Sequence, residues 1–101
     1  MVLIYTTCKN TDEAKKLGKM IIEKRLASCV NMWPIESIYF EKENLTEGTE
    51  TALLIKTHEP KIADIEELIL KNHAYAVPFV GSVEVKRLNR EYKEWMTTVI
   101  R

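Results

Sequence analysis

The chain has 101 residues, 46% of them hydrophobic, with 15 basic and 15 acidic side chains. That length makes one domain, residues 1–101, and a charge balance without basic excess gives no field to hold a nucleic-acid backbone. The apolar runs are far too short to span a bilayer. Val2 to Thr7 is β-rich and mostly apolar, which predicts a buried central strand. The start, Met1-Val2-Leu3-Ile4-Tyr5, lacks a basic n-region and a small-residue cleavage site, so it reads as strand and not as a signal peptide. Two cysteines, Cys8 and Cys29, fit no zinc spacing and no C-x-x-C motif. The expected compartment is the cytoplasm, with both thiols reduced.

Asn10 offers a helix N-cap, with Glu13 three residues later to close a capping box. Ala14, Leu17, Gly18, Ile21, Ile22 and Leu26 follow at helical spacing, with lysines and Glu23 on the wet face. A second strand is expected from about Ser28 to Phe40, with Pro34 marking it as a sheet edge or bulge. Phe40 to Thr49 is charged and reads as a hairpin end, turning at Asn44 and Gly48. Thr51 to Thr57 is apolar at nearly every position, which predicts a second central strand.

Pro60 opens the next helix, where its missing N–H costs nothing. Ile62, Ile65, Leu68 and Ile69 form its buried stripe, and Asn72 stops it. A last strand lies within Val80 to Arg87. Asn89 then caps a closing helix with Tyr92, Trp95, Met96 and Val99 on one face. The order β-α-β-β-α-β with right-handed crossovers predicts an α+β, ferredoxin-like sandwich: an antiparallel sheet of order 4-1-3-2, both main helices on one face, plus a C-terminal helix. The first and third strands are too apolar to leave the other face in water. Either the C-terminal helix or another subunit covers it.

Nothing in the sequence demands an enzyme. Three glycines build no phosphate-cradling loop, and no Ser-His-Asp or Cys-His-Asp set is spaced informatively. Read alone, a lone buried cysteine is more often a small hydrophobe than a ligand. His73 at a helix end can simply serve the last carbonyls. Trp33, Tyr39, Phe40, Tyr75 and Trp95 either line a pocket or fill core and interface. Glu50 and Lys56 bordering the third strand either bind something or pair with each other.

One run does more than its structural duties require. Arg25-Leu26-Ala27-Ser28-Cys29-Val30-Asn31 resembles the RLAACVN run of the CutA family, small trimeric proteins linked to divalent-cation tolerance. Ser37-Ile38-Tyr39, Leu54-Ile55-Lys56-Thr57, His73-x-Tyr75-x-Val77-Pro78 and Tyr92-x-x-Trp95 agree in order and spacing, over nearly the whole chain. The resemblance implies a homotrimer acting in metal homeostasis as a binding protein. It also implies a metal-site role, for copper or another divalent cation, at Cys8, Cys29 and His73. Thiolate and imidazole suit such soft or borderline ions. The alternative is a small-molecule sensor resembling the trimeric PII signalling proteins, with its ligand in the clefts between subunits.

The topology reading puts Cys8 at one end of the sheet and both Cys29 and His73 at the other, a strand length of roughly 17–20 Å away. It therefore expects Cys29 to be buried beside His73 and Cys8 to be the more accessible thiol. Five positions depart from the family pattern. Ala74 replaces a proline, Phe79 a glutamate, Phe40-Glu41 a tryptophan pair and Glu43 a hairpin glycine. These changes alter any aromatic pocket there and leave the core periodicity intact.

Overall fold

The computed structural model describes residues 1–101. Its elements are β1 (Val2–Cys8), α1 (Thr11–Glu23), β2 (Cys29–Glu41), β3 (Asn44–Thr57), a 3-10 turn at Glu59–Lys61, α2 (Ile62–Asn72), β4 (Val80–Glu84) and α3 (Arg90–Val99). The four strands form one antiparallel sheet, β2-β3-β1-β4. This is the expected 4-1-3-2 order, with the two most apolar strands at its centre.

The core lies on one face of that sheet. Side chains alternate along a strand, so β1 turns Ile4 and Cys8, and β3 turns Leu53 and Ile55, toward the helices. Ala14, Leu17 and Ile21 of α1 and Ile65, Leu68 and Ile69 of α2 meet them there. Each fully buried Leu or Ile contributes about 1.5–3 kcal/mol. At Gly18, α1 lies so close to β2 that an added Cβ would stand 2.9 Å from a Val30 methyl.

The Arg25–Asn31 run performs its junction through backbone chemistry. Arg25 takes the left-handed conformation, φ 60, in the place after the helix cap where glycine is usual. Arg25 N–H then donates to Ile22 O and Leu26 N–H to Ile21 O, closing the orphan carbonyls of α1. Ser28 N–H donates to Lys56 O, and the Thr57 hydroxyl to Leu26 O, so the chain joins the sheet at once.

The hairpin is longer than its composition announces. Pairing runs from Cys29↔Lys56 without interruption to Glu41↔Asn44. The turn is therefore Lys42-Glu43, with Lys42 at φ 57, and not Asn44 and Gly48. Ladder hydrogen bonds need no apolar side chains, which is why a charged stretch stays paired. Pro34 sits in β2, an edge strand, where its missing donor is harmless. Since β1 pairs only with Thr51–Thr57 of β3, the outer hairpin stands clear of the domain. It carries exposed Ile38, Phe40 and Leu45.

The second sheet face is covered in part by α3. Tyr92 bonds Ser28 at 3.2 Å and its ring faces the Lys56 ammonium at 5.6 Å, while Met96 is fully buried. Elsewhere on the outer surface, Trp33 and Val83 remain exposed.

Candidate functional site

Three chemically able side chains converge where β1 ends. β1 delivers Cys8 opposite Thr51. Asn10 caps α1 by accepting from Glu13 N–H at 2.9 Å, and this first turn points the Glu13 carboxylate inward. α2 ends at Asn72, with extended His73 as its cap. One ligand-capable atom from each of Cys8, Glu13 and His73 lies within 4.8 Å of the others.

Every polar atom of the acid and the imidazole is already engaged. Glu13 accepts from Lys9 N–H at 2.9 Å with one oxygen and from Ala74 N–H at 2.7 Å with the other. His73 Nε2 lies 2.7 Å from Thr7 O, a pure acceptor, so that nitrogen carries the hydrogen. Nδ1 in turn accepts from Tyr75 N–H at 3.0 Å. Both side chains are buried, His73 completely and Glu13 with 8% exposed. The 3.9 Å approach of Nδ1 to Glu13 Oε2 is therefore two acceptors side by side, not an ion pair. Burial, reinforced by the charges of Glu13 and Glu50, pushes the Cys8 thiol up to about 12. Cys8 is a protonated thiol in a closed, hydrogen-bonded knot.

The structure reverses the expected partnership of the cysteines. Cys29 pairs with Lys56 at the far end of β3, and from Thr51 to Lys56 is about 17 Å along the strand. It is only half buried, while Cys8 is fully buried. The reason is the count of reversals. β2 carries the chain back to the Cys8 end, β3 returns it, and α2 starts at the Cys29 end and runs back again. His73 therefore meets Cys8, and within one chain Cys29 meets neither. Glu13 was legible only as a capping residue. It does not reach back to Asn10 N–H but to Lys9 N–H, which frees its second oxygen for Ala74.

Beside the knot lies a cleft of about 400 Å³. The Tyr75 hydroxyl donates to Glu50 Oε2 at 2.6 Å. Burial opposes ionisation of Glu50, but the hydroxyls of Ser37, Tyr75 and Thr7 outweigh it and hold the carboxyl below its usual range. Burial and the Glu50 carboxylate push the Tyr75 phenol well above its ordinary value. Tyr39, Phe40 and Phe79 supply further walls. Glu50 and Lys56 do not pair with each other: one holds Tyr75, the other faces Tyr92. Of the remaining aromatics, Trp95 packs edge-on to Tyr92 at 5.4 Å.

The model of a family described as CutA1 divalent ion tolerance protein matches residues 2–99. A divalent-cation tolerance protein CutA of Thermococcus kodakarensis is 32% identical over 98% of this chain and 95% of its own. A CutA homolog of Xenopus laevis is 37% identical over 95% of this chain and 64% of its own. Among solved structures, a periplasmic divalent cation tolerance protein CutA from Archaeoglobus fulgidus superimposes with TM-score 0.95 at 29% identity, each chain fully covered. CutA1 from Oryza sativa does so with TM-score 0.94 at 36% identity, over 99% of this chain and 93% of the other. On its motifs, its fold and these matches, the chain belongs to the CutA1 divalent ion tolerance family.

Proposed function

We propose that this chain serves divalent-cation tolerance as a homotrimeric binding protein, not an enzyme, and that copper or a similar soft cation is held by Cys8 and His73 with Glu13 as third donor. The observation that carries the reading is the convergence of a thiol, an imidazole and a carboxylate within 4.8 Å. Sulfur and imidazole nitrogen are the donors such ions select. Cys29 enters the proposal only through a neighbouring copy. Uptake has a barrier. A cation must expel the Cys8 proton and replace hydrogen bonds to Thr7, Tyr75, Lys9 or Ala74, each worth about 1–3 kcal/mol when a buried partner is left unpaired.

Support for the trimer comes from the surface. β2 and β4 are sheet edges, which invite pairing, and Trp33, Ile38, Phe40, Leu45 and Val83 are large apolar side chains in water. Identical head-to-tail contacts closing on themselves would cover them. Native mass spectrometry of dilute protein should give three chains, and a folded monomer or dimer would contradict the assembly. The proposal includes cytoplasmic residence. Fractionation to a periplasmic compartment, the one named for the A. fulgidus relative, would overturn that part.

Titration calorimetry with Cu(II) and Zn(II) on the native protein and on Cys8→Ser, His73→Ala and Cys29→Ser tests the ligands. Loss in the first two variants and retention in the third is expected. Equal binding by all four would make the residues structural. A second reading, a small-ligand sensor, is favoured by a separate observation: the Glu50 cleft, whose carboxylate is held ionised by hydroxyls.

A further inference from the structure

The Glu50 cleft has an unusual lining. Four rings, Tyr39, Phe40, Tyr75 and Phe79, and two carboxylates, Glu41 and Glu50, surround it, and none of its lining residues is basic. From this we infer that the cleft binds a small alkylammonium ion, the charge on Glu50 and the carbon chain against the rings. The inference rests on the small-ligand reading of the cleft and names the class of that ligand.

Phe79 is held in place, not merely exposed. Phe79 is 62% exposed, yet it stands edge-on to Tyr5 with centroids 6.4 Å apart. The tip of its ring reaches Gly81, where an added Cβ would come within 2.6 Å of it. Phe79, held by packing, and Tyr75, held by its bond to Glu50, can present negative π faces to a positive charge. Glu50 accepts from the Tyr75 hydroxyl at Oε2 and is also approached by the Ser37 and Thr7 hydroxyls; a carboxylate's roughly four lone-pair sites still leave room for an N–H donor.

Other ligand classes fit less well. A hard divalent cation takes six or more oxygens or keeps a shell of waters, and the aromatic walls offer neither. A soft cation wants sulfur or imidazole nitrogen, and no cysteine or histidine lines the cleft. An anion would face two carboxylates without a counter-charge. A protonated amine on a short alkyl chain satisfies both halves of the lining, and the volume falls in the range of small-molecule sites.

The test uses the intact oligomer, with n-butylamine, n-butanol and butyrate as probes of one size and three charges, followed by amide and methyl resonances. The amine should shift resonances around Tyr75, Val77 and Phe79, and the alcohol and the acid should bind at least about tenfold more weakly. Glu50→Gln should weaken the amine by about tenfold or more, and Phe79→Leu by roughly threefold, each at unchanged oligomer mass. Phe79→Leu alone decides the matter if Glu50→Gln does not fold. Amine binding equal in native and variant proteins would overturn the inference. If the alcohol or acid occupies the cleft and the amine does not, the small-ligand reading stands and the ammonium class falls. If no probe moves these resonances, both fall.

Discussion

Glu13→Gln is the perturbation that weighs the buried knot most cleanly, because it preserves shape and changes only hydrogen-bonding character. Glu13 accepts two backbone N–H groups, Lys9 at 2.9 Å and Ala74 at 2.7 Å, with only 8% of its side chain exposed. Glutamine keeps one carbonyl oxygen, so one bond survives in neutral form. Its NH2 group then confronts the other backbone N–H, donor against donor. Losing one charge-assisted bond and leaving a buried N–H unpaired should destabilise the fold by about 2–4 kcal/mol. Denaturant unfolding at matched protomer concentration reads the total, since oligomer stability depends on concentration. Hydrogen exchange at Lys9 and Ala74 shows where the loss is felt. A change under about 0.5 kcal/mol, the range of an indifferent surface substitution, with unaltered exchange at both amides, would refute the reasoning.

Thr6 is fully buried on the helix-facing side of β1 and its hydroxyl has no partner; Thr6→Val should stabilise the protein by about 1 kcal/mol, and an equal loss in thermal or denaturant unfolding would contradict the burial argument. Native-state alkylation should modify half-buried Cys29 well before Cys8, whose thiol is both enclosed and held protonated; the reverse order would contradict the observed topology. Tyr75→Phe removes a hydroxyl that lowers the Glu50 carboxyl, so a side-chain NMR titration should find that carboxyl nearer its ordinary range. A depressed carboxylate contributes stability above its unfolded value and loses it as pH falls through the folded one. The variant should therefore lose less stability on acidification below the usual carboxylate range, and a larger loss would show that Tyr75 acts in some other way.

The fold was legible because its signals are local and agree with one another. Val2 to Thr7 and Thr51 to Thr57 carry too much apolar surface for an edge, and they are the central strands. Asn10 and Glu13 mark a helix start at the right residue. The outer hairpin was less legible, since Glu41 and Asn44 to Thr49 pair through the backbone and leave no pattern in their side chains. The candidate site failed on direction, not on residue type. Cys8 and His73 were both visible, but which end of the sheet receives His73 depends on counting every reversal between them. Glu13 was spent on a local role, the helix cap, and nothing in the sequence reveals that its second oxygen reaches Ala74, far along the chain. Phe79 stood out only as a departure from the family pattern; its placement over Gly81 is a tertiary fact.

The most direct test of the metal reading is zinc-edge X-ray absorption on protein loaded with one equivalent of Zn(II) per chain, compared with Cys8→Ser. A sulfur shell at about 2.3 Å beside nitrogen or oxygen at about 2.0–2.1 Å is expected, absent in the variant and retained in Cys29→Ser. A shell of oxygen and nitrogen alone, unchanged by Cys8→Ser, would contradict the metal reading and leave the Cys8–Glu13–His73 knot as purely structural.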